Sequence, residues 1–125
     1  MHDFTVLVLP GSFATSTAVT LDVLAAAATL APRHQMPRPT WRVVSPDGGS
    51  VPLSNGLRVD TLAMPRRART DGSTWIVPGL GVDKPADLAL RLTGDHARAA
   101  IDAVRGHAAR GGGVAASCSA VVLLL

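Results

Sequence analysis

With 125 residues, 47% of them hydrophobic, the chain can bury one core and no more, since single domains usually run to about 100 to 150 residues. Aromatic residues make up only 3%, so that core must be built from Ala, Val, Leu and Ile, which suits helices packed on a parallel sheet and argues against an all-β sandwich. The formal charge of +3 comes from 12 basic and 9 acidic residues scattered along the chain, with Lys84 the only lysine, and this pattern does not make a nucleic-acid-binding stripe. A cluster of Arg66, Arg67 and Arg69 between Pro65 and Asp71-Gly72 is the one exception, read as a solvated loop with a phosphate contact as the alternative. One cysteine excludes an internal disulfide, and the first apolar run lacks the basic flank and length of a secretory signal. No apolar stretch approaches the ~20 residues of a membrane-spanning helix. The expectation is a soluble chain, with the cytoplasm as its default location.

Residues 4 to 9, Phe-Thr-Val-Leu-Val-Leu, are apolar on both faces, as in a central parallel strand, and Pro10-Gly11 stops it. Thr15, Ser16 and Thr17 offer N-cap hydroxyls for a helix over residues 18 to 30, whose only charge is Asp22. A helix so poor in polar positions must be covered on more than one side, by the sheet and by a second element or another subunit. Three prolines between residues 32 and 39 make a loop, and residues 40 to 45 read as the second strand. Short apolar runs at 51 to 53 and 57 to 59 flank Ser54-Asn55-Gly56, a hairpin signal. Residues 74 to 77 are the next buried strand, ended by Pro78-Gly79. Ala97, Ile101, Val104 and Ala108 are predicted to line the buried face of a helix over 95 to 110, which Gly111 to Gly113 end.

Val114-Ala115-Ala116 forms a short strand, and Ser117-Cys118-Ser119 leads into an apolar run that reads as the opening turns of a further helix. Alternating strands and helices predict an α/β, doubly wound, mostly parallel sheet in a flavodoxin-like three-layer sandwich, its strands at 4 to 9, 40 to 45, 74 to 77 and 114 to 116 parallel. The domain, spanning 1 to 125, is expected to be incomplete at its C-terminal end, after the turn that carries Cys118.

In open α/β sheets the carboxyl ends of the strands form the ligand crevice. Three such ends converge here, at residues 10 to 16, 78 to 81 and 117 to 119. Small neighbours around Cys118 suit the sharp strand-to-helix turn of a nucleophile elbow, where the positive end of a helix dipole favours thiolate. The alternative is a buried structural cysteine. Ser16 is either a helix N-cap or part of the same crevice.

Four motifs, in order, carry a family resemblance: Leu7-Val8-Leu9-Pro10-Gly11, Leu21-Asp22-Val23-Leu24, Ile76-Val77-Pro78-Gly79 and Ala116-Ser117-Cys118-Ser119-Ala120. Over nearly the whole chain the sequence resembles the ThiJ/PfpI superfamily, whose domains are type 1 glutamine amidotransferase-like. Pro10-Gly11-Ser12-Phe13-Ala14 and Ser54-Asn55-Gly56-Leu57 bring it closest to the sensor domains that precede a paired helix-turn-helix module in AraC-type regulators. The resemblance implies Cys118 as the nucleophile equivalent, with backbone N–H groups near Leu80 and at Ser119 placed as an oxyanion hole. It implies a ligand site over Gly11, Ser12, Ser16, Gly79, Leu80, Gly81 and Ser119.

Two departures bear on chemistry. Enzymes of the superfamily commonly place an acidic residue six positions before the residue matching Asp22, and here that position is Ser16, which cannot share a proton as a carboxyl can. None of His2, His34, His96 and His107 is placed to act as base, and the polar groups of the helix that holds the last two are expected to be solvated. No Cys/His cluster has metal-ligand spacing, and Gly79-Leu80-Gly81 is a bare GxG, so neither metal nor nucleotide cofactor is expected. Three functions remain open: a metabolite sensor acting on DNA through a domain outside the chain, a cysteine-dependent hydratase, amidase or glyoxalase-like enzyme, and a dimerisation module. A homodimer through the first helix is expected in any case.

Overall fold

The structure, a computed structural model, describes residues 2–65, 71–82 and 84–124, with the side chains of residues 121, 122 and 124 left aside. Six strands form one sheet in the order β3-β4-β2-β1-β5-β6. Strand β1 (Phe4–Leu7) pairs in parallel with β2 (Trp41–Ser45) on one side and with β5 (Thr74–Val77) on the other, and β5 pairs in parallel with β6 (Val114–Ala116). The four strands expected to be parallel are parallel. The Asn-Gly signal makes the hairpin it predicts, joining β3 (Gly49–Pro52) to β4 (Arg58–Ala63) in the one antiparallel ladder, while β4 returns in parallel to β2.

Side chains alternate between two cores. Val6 and Val8 point to the face that carries helix α1 (Ala14–Leu30), where Leu24 and Val51 complete the packing. Leu7, Leu9, Val44, Trp75 and Val77 point to the opposite face, under helix α3 (Asp95–Ala109) and the turns that follow Ser117. This is the three-layer α/β arrangement expected from the sequence.

Several details differ from expectation, each for a physical reason. Helix α1 starts one turn early, at Ala14 after an N-cap at Phe13 that supplies no side-chain bond. The three hydroxyls therefore lie inside the first turn, and Thr17 Oγ1 donates back to the Phe13 carbonyl at 3.0 Å rather than capping an N–H. A 3₁₀ turn, Ala31–His34, continues α1, so the whole helical run Ala14–His34 has 21 residues. By length and composition alone that is enough to cross a membrane, which corrects the expectation that no stretch approaches such a length. Here Thr17 and Leu24 lay the helix on the sheet.

Helix α2 (Pro85–Leu92) has no counterpart in the expectations; Pro85 at its start, Asp87 in its first turn, Arg91 in its last, and Leu88 and Leu92 one turn apart are its local signals. In α3 Ala97 and Val104 are buried as expected and Ile101 is partly so, but Ala100 and His107 complete the buried face while Ala108 is exposed. His107 is thus not solvated. It is 1% exposed, its ring stacked on Trp75 with centroids 4.9 Å apart. After Cys118 the chain winds as a 3₁₀ helix, Cys118–Leu124, in place of the expected α-helix. The arginine cluster at 66, 67 and 69 lies outside the described residues.

A closed ring of polar groups joins the amino ends of three strands. Arg42 Nε donates to Thr5 Oγ1 at 2.9 Å, Thr5 Oγ1 lies 2.8 Å from Ser73 Oγ, Ser73 Oγ donates to Asp71, and Asp71 Oδ2 accepts from Arg42 Nη2 at 2.7 Å. Thr5 and Ser73 are buried, so these hydroxyls depend on the ring for their partners.

Much of α1 remains uncovered. Val19, Val23 and Leu30 are 53%, 61% and 46% exposed, and with Phe4, Ala27 and Ile76 they line an apolar groove of about 730 Å³. Groups able to orient a small molecule hardly enter this groove, which is a surface in want of cover.

Candidate functional site

Cys118 occupies the turn between β6 and the 3₁₀ helix with φ of +52°, in the left-handed region that non-glycine residues rarely adopt. Ser117 N–H donates to the Val77 carbonyl at 3.2 Å and Ala120 N–H to the Ser117 carbonyl at 3.1 Å, so the turn is pinned on both sides of the cysteine. The side chain is exposed, as an elbow requires, and the alternative of a buried structural cysteine does not hold. Because the backbone is strained there by roughly 1 to 2 kcal/mol, Cys118→Gly should leave chemical stability unchanged or raise it by about 1 kcal/mol while removing the thiol. Urea denaturation checks this, and a clear loss of stability would mean that the turn holds no strain.

Beside the cysteine lies the loop that follows β5. A Cβ added to Gly79 would stand 3.4 Å from Cys118 Cβ and 3.6 Å from Ser16 Oγ, so the glycine backbone forms the floor between the two side chains. Gly79 N–H donates to Ser16 Oγ at 3.0 Å and Leu80 N–H to Ser119 Oγ at 3.0 Å. The Gly79 carbonyl accepts Phe13 N–H at 2.7 Å. Ser16, Gly79, Leu80, Cys118 and Ser119 thus come together at the carboxyl ends of β1, β5 and β6. Ser16 reaches this cluster because α1 begins at Ala14, which puts its hydroxyl in the first helical turn facing Gly79.

The remaining residues of the expected site stand one layer away. Ser12 is 1% exposed and its hydroxyl accepts Leu9 N–H at 3.0 Å, so its side chain shapes the turn after β1. Gly11 and Gly81, with φ of +80° and +74°, meet back to back: a Cβ on Gly81 would overlap the Gly11 carbonyl oxygen.

Sequence reasoning passed over two contributors. Ser54, in the hairpin turn, accepts Ala14 N–H at 3.1 Å through its hydroxyl and donates its own N–H to the Ser12 carbonyl at 2.9 Å, so the hairpin buttresses the start of α1. Arg91 of α2 reaches the Leu80 carbonyl through Nη1 at 2.7 Å and the Pro10 carbonyl through Nη2. Arg91, set between Leu90 and Leu92, and Ser54, read from the sequence only as part of the hairpin turn, carry no local sign of these distant bonds.

None of the four histidines is hydrogen-bonded to Cys118. His96 pairs with Asp47 at 2.8 Å on the surface, and His107 is buried against Trp75. Among the described residues no group of three or more His, Cys, Asp or Glu could hold a metal ion. The site offers a thiol, two hydroxyls and backbone N–H groups. A carboxyl or imidazole to move a proton is not among the groups bonded there.

No protein-family model and no curated protein sequence matches the chain. Solved structures do. A candidate transcriptional regulator from Vibrio parahaemolyticus is similar over 97% of this chain and 58% of its own, with 18% identity and a TM-score of 0.68. DJ-1beta from Drosophila melanogaster is similar over 99% of this chain and 59% of its own, with 19% identity and a TM-score of 0.66. The 125 residues therefore span less than two thirds of either neighbour. Six mostly parallel strands flanked by helices, superposing on these two structures over nearly the whole chain, give the protein the same flavodoxin-like α/β fold as the DJ-1beta and regulator structures.

Proposed function

We propose that this domain is the ligand-sensing part of an AraC-type transcriptional regulator, binding a small metabolite in the crevice over Cys118. The observation that carries the reading is Ser16. Its hydroxyl stands across Gly79 from the cysteine and accepts the Gly79 N–H, where an enzyme would want a carboxyl to share the thiol proton. General acid/base help worth about 10²- to 10⁴-fold has no donor there. A binding site needs only what is present: N–H groups, hydroxyls and an exposed thiol held in fixed positions. The neighbour from Vibrio parahaemolyticus supports the regulator reading at the level of its description.

In this proposal DNA is contacted by a helix-turn-helix domain outside these residues, the protein works in the cytoplasm without a cofactor, and a second copy covers the exposed Val19, Val23 and Leu30 face of α1 to make a homodimer. The elbow geometry of Cys118 favours one competing reading, a cysteine hydrolase or hydratase of isonitrile hydratase, amidase or glyoxalase type.

The full-length protein and its Cys118→Ser variant separate the two. The sensor reading expects metabolite-dependent DNA binding that the substitution weakens by at least about tenfold, with negligible turnover in either protein and a dimer in sedimentation. Robust hydratase, amidase or glyoxalase turnover, abolished by Cys118→Ser, would make the protein an enzyme.

A further inference from the structure

The three successive peptides around Gly79 and Leu80, which floor the site, have no free choice of orientation. Gly79 gives its N–H to Ser16 and its carbonyl to the Phe13 N–H, while Leu80 gives its N–H to Ser119 and its carbonyl to Arg91. Three of these four anchors come from segments that themselves line the strand ends. Arg91 comes from α2, and it is the one charged group of the four. Its second arm holds the Pro10 carbonyl, and Gly11 leaves it room: a Cβ there would stand 3.0 Å from Nη1. The two ion pairs among the described residues, Arg42–Asp71 and His96–Asp47, do not include Arg91.

A half-buried guanidinium answered by two neutral carbonyls is an unusual use of charge. Desolvation lowers its pKa from the ordinary arginine value, and it stays protonated at neutral pH. Charge-assisted bonds to the two carbonyls offset that desolvation, which favours keeping both on the planar fork. Helix α2 itself has no buried residue: Leu90 is 74% exposed, and Leu88 and Leu92 are only partly buried. The fork is therefore a principal tie between α2 and the strand ends.

We propose that Arg91 is a positioning residue of the site: by gripping the Leu80 and Pro10 carbonyls it fixes the Leu80–Gly81 peptide, and through the Leu80 backbone it steadies the Leu80 N–H beside Cys118 and couples it to α2. The inference rests on the reading above in placing the ligand over Cys118. It adds the route by which occupancy leaves the site: an oxygen that draws the Leu80 N–H from Ser119 turns the Gly79–Leu80 peptide, and through the Leu80 Cα the change in backbone angle reaches the Leu80–Gly81 peptide, whose carbonyl Arg91 of α2 holds.

The test needs no ligand. Amide hydrogen exchange and the rate of Cys118 alkylation by iodoacetamide are measured on the wild-type chain and on Arg91→Gln, Arg91→Lys and Leu90→Ala. In Arg91→Gln the Leu80 amide should exchange at least about tenfold faster and the alkylation rate should change severalfold, while the amide of Val104 in α3 keeps its wild-type protection. Lysine keeps the charge but cannot span two carbonyls, so Arg91→Lys should fall between glutamine and wild type. Leu90→Ala, on the same helix but outside the fork, should match wild type. A Leu80 exchange rate in Arg91→Gln within about twofold of wild type, or one raised no more than that of Val104, overturns the proposal. Should Arg91→Gln fail to fold, Arg91→Lys decides: selective loss of protection at Leu80 supports the fork and unchanged protection refutes it. Failure of the sensor reading shows separately, as DNA binding indifferent to metabolite, and leaves these exchange rates as they are.

Discussion

Replacing Gly81 with alanine is expected to destabilise the domain by about 2 to 4 kcal/mol and to open the candidate site. Two effects add. The backbone φ of +74° imposes a strain of roughly 1 to 2 kcal/mol on any residue with a Cβ. The new methyl would also overlap the Gly11 carbonyl oxygen and stand 3.1 Å from Ser54 Cβ, so the loops after β1 and β5 must part. Gly56 is the control. Its φ of +88° carries the same strain, yet nothing lies within 4 Å of its Cβ position, so Gly56→Ala should show the strain alone. Chemical denaturation of both variants, with iodoacetamide alkylation of Cys118, checks this. Equal losses at the two positions would show that the Gly11–Gly81 contact yields freely.

Asp71→Ala is expected to cost about 1 to 3 kcal/mol, because it removes the charged member of the ring and leaves Arg42 and the Ser73 hydroxyl only Thr5 as a partner there. The same carboxylate makes stability depend on acid. Burial raises the Asp71 pKa, but bonds from the Ser73 hydroxyl and N–H and the charge of Arg42 outweigh it, and the net direction is down from 3.8. A depressed carboxyl contributes stability that is complete above its unfolded pKa and is lost as pH falls through the folded one. For Asp71 that loss lies below about pH 4. Asp71→Asn should flatten the acid limb of the stability curve there, while above pH 5 its deficit against wild type stays constant. An acid limb of undiminished slope would show that other carboxyls govern acid unfolding.

How much of this was legible beforehand depended on whether a residue's surroundings are local. Strands β1, β2, β5 and β6 announce themselves because a sheet covered on both faces selects continuous apolar, β-branched runs, and Asn55-Gly56 fixes its hairpin through its own backbone preferences. The convergence of three strand ends around Cys118 follows from topology alone. His107 was misjudged because helical periodicity leaves the phase of a face uncertain by one position, and the Trp75 ring, distant in sequence, decides it. Helix α2 shows its turn in Pro85 and in the Leu88–Leu92 spacing, but nothing local tells that Arg91 reaches back to Leu80 and Pro10. Of the two readings of Ser16 the crevice holds and the N-cap does not: with the helix starting at Ala14, its hydroxyl receives an N–H from Gly79 and caps nothing.

The central place of β1 in the sheet has a consequence for how the protein comes to be made. Phe4 pairs with Trp41 on one side and with Thr74 on the other, so β1 is completed only when the residues up to β5 have been made. Closing such long loops is entropically costly and makes folding slow. Until β5 arrives, the Phe-Thr-Val-Leu segment presents an unpaired apolar edge to every other nascent chain nearby. Substitutions that delay β5 should therefore reduce yield through aggregation during synthesis, even where the finished fold is as stable as before.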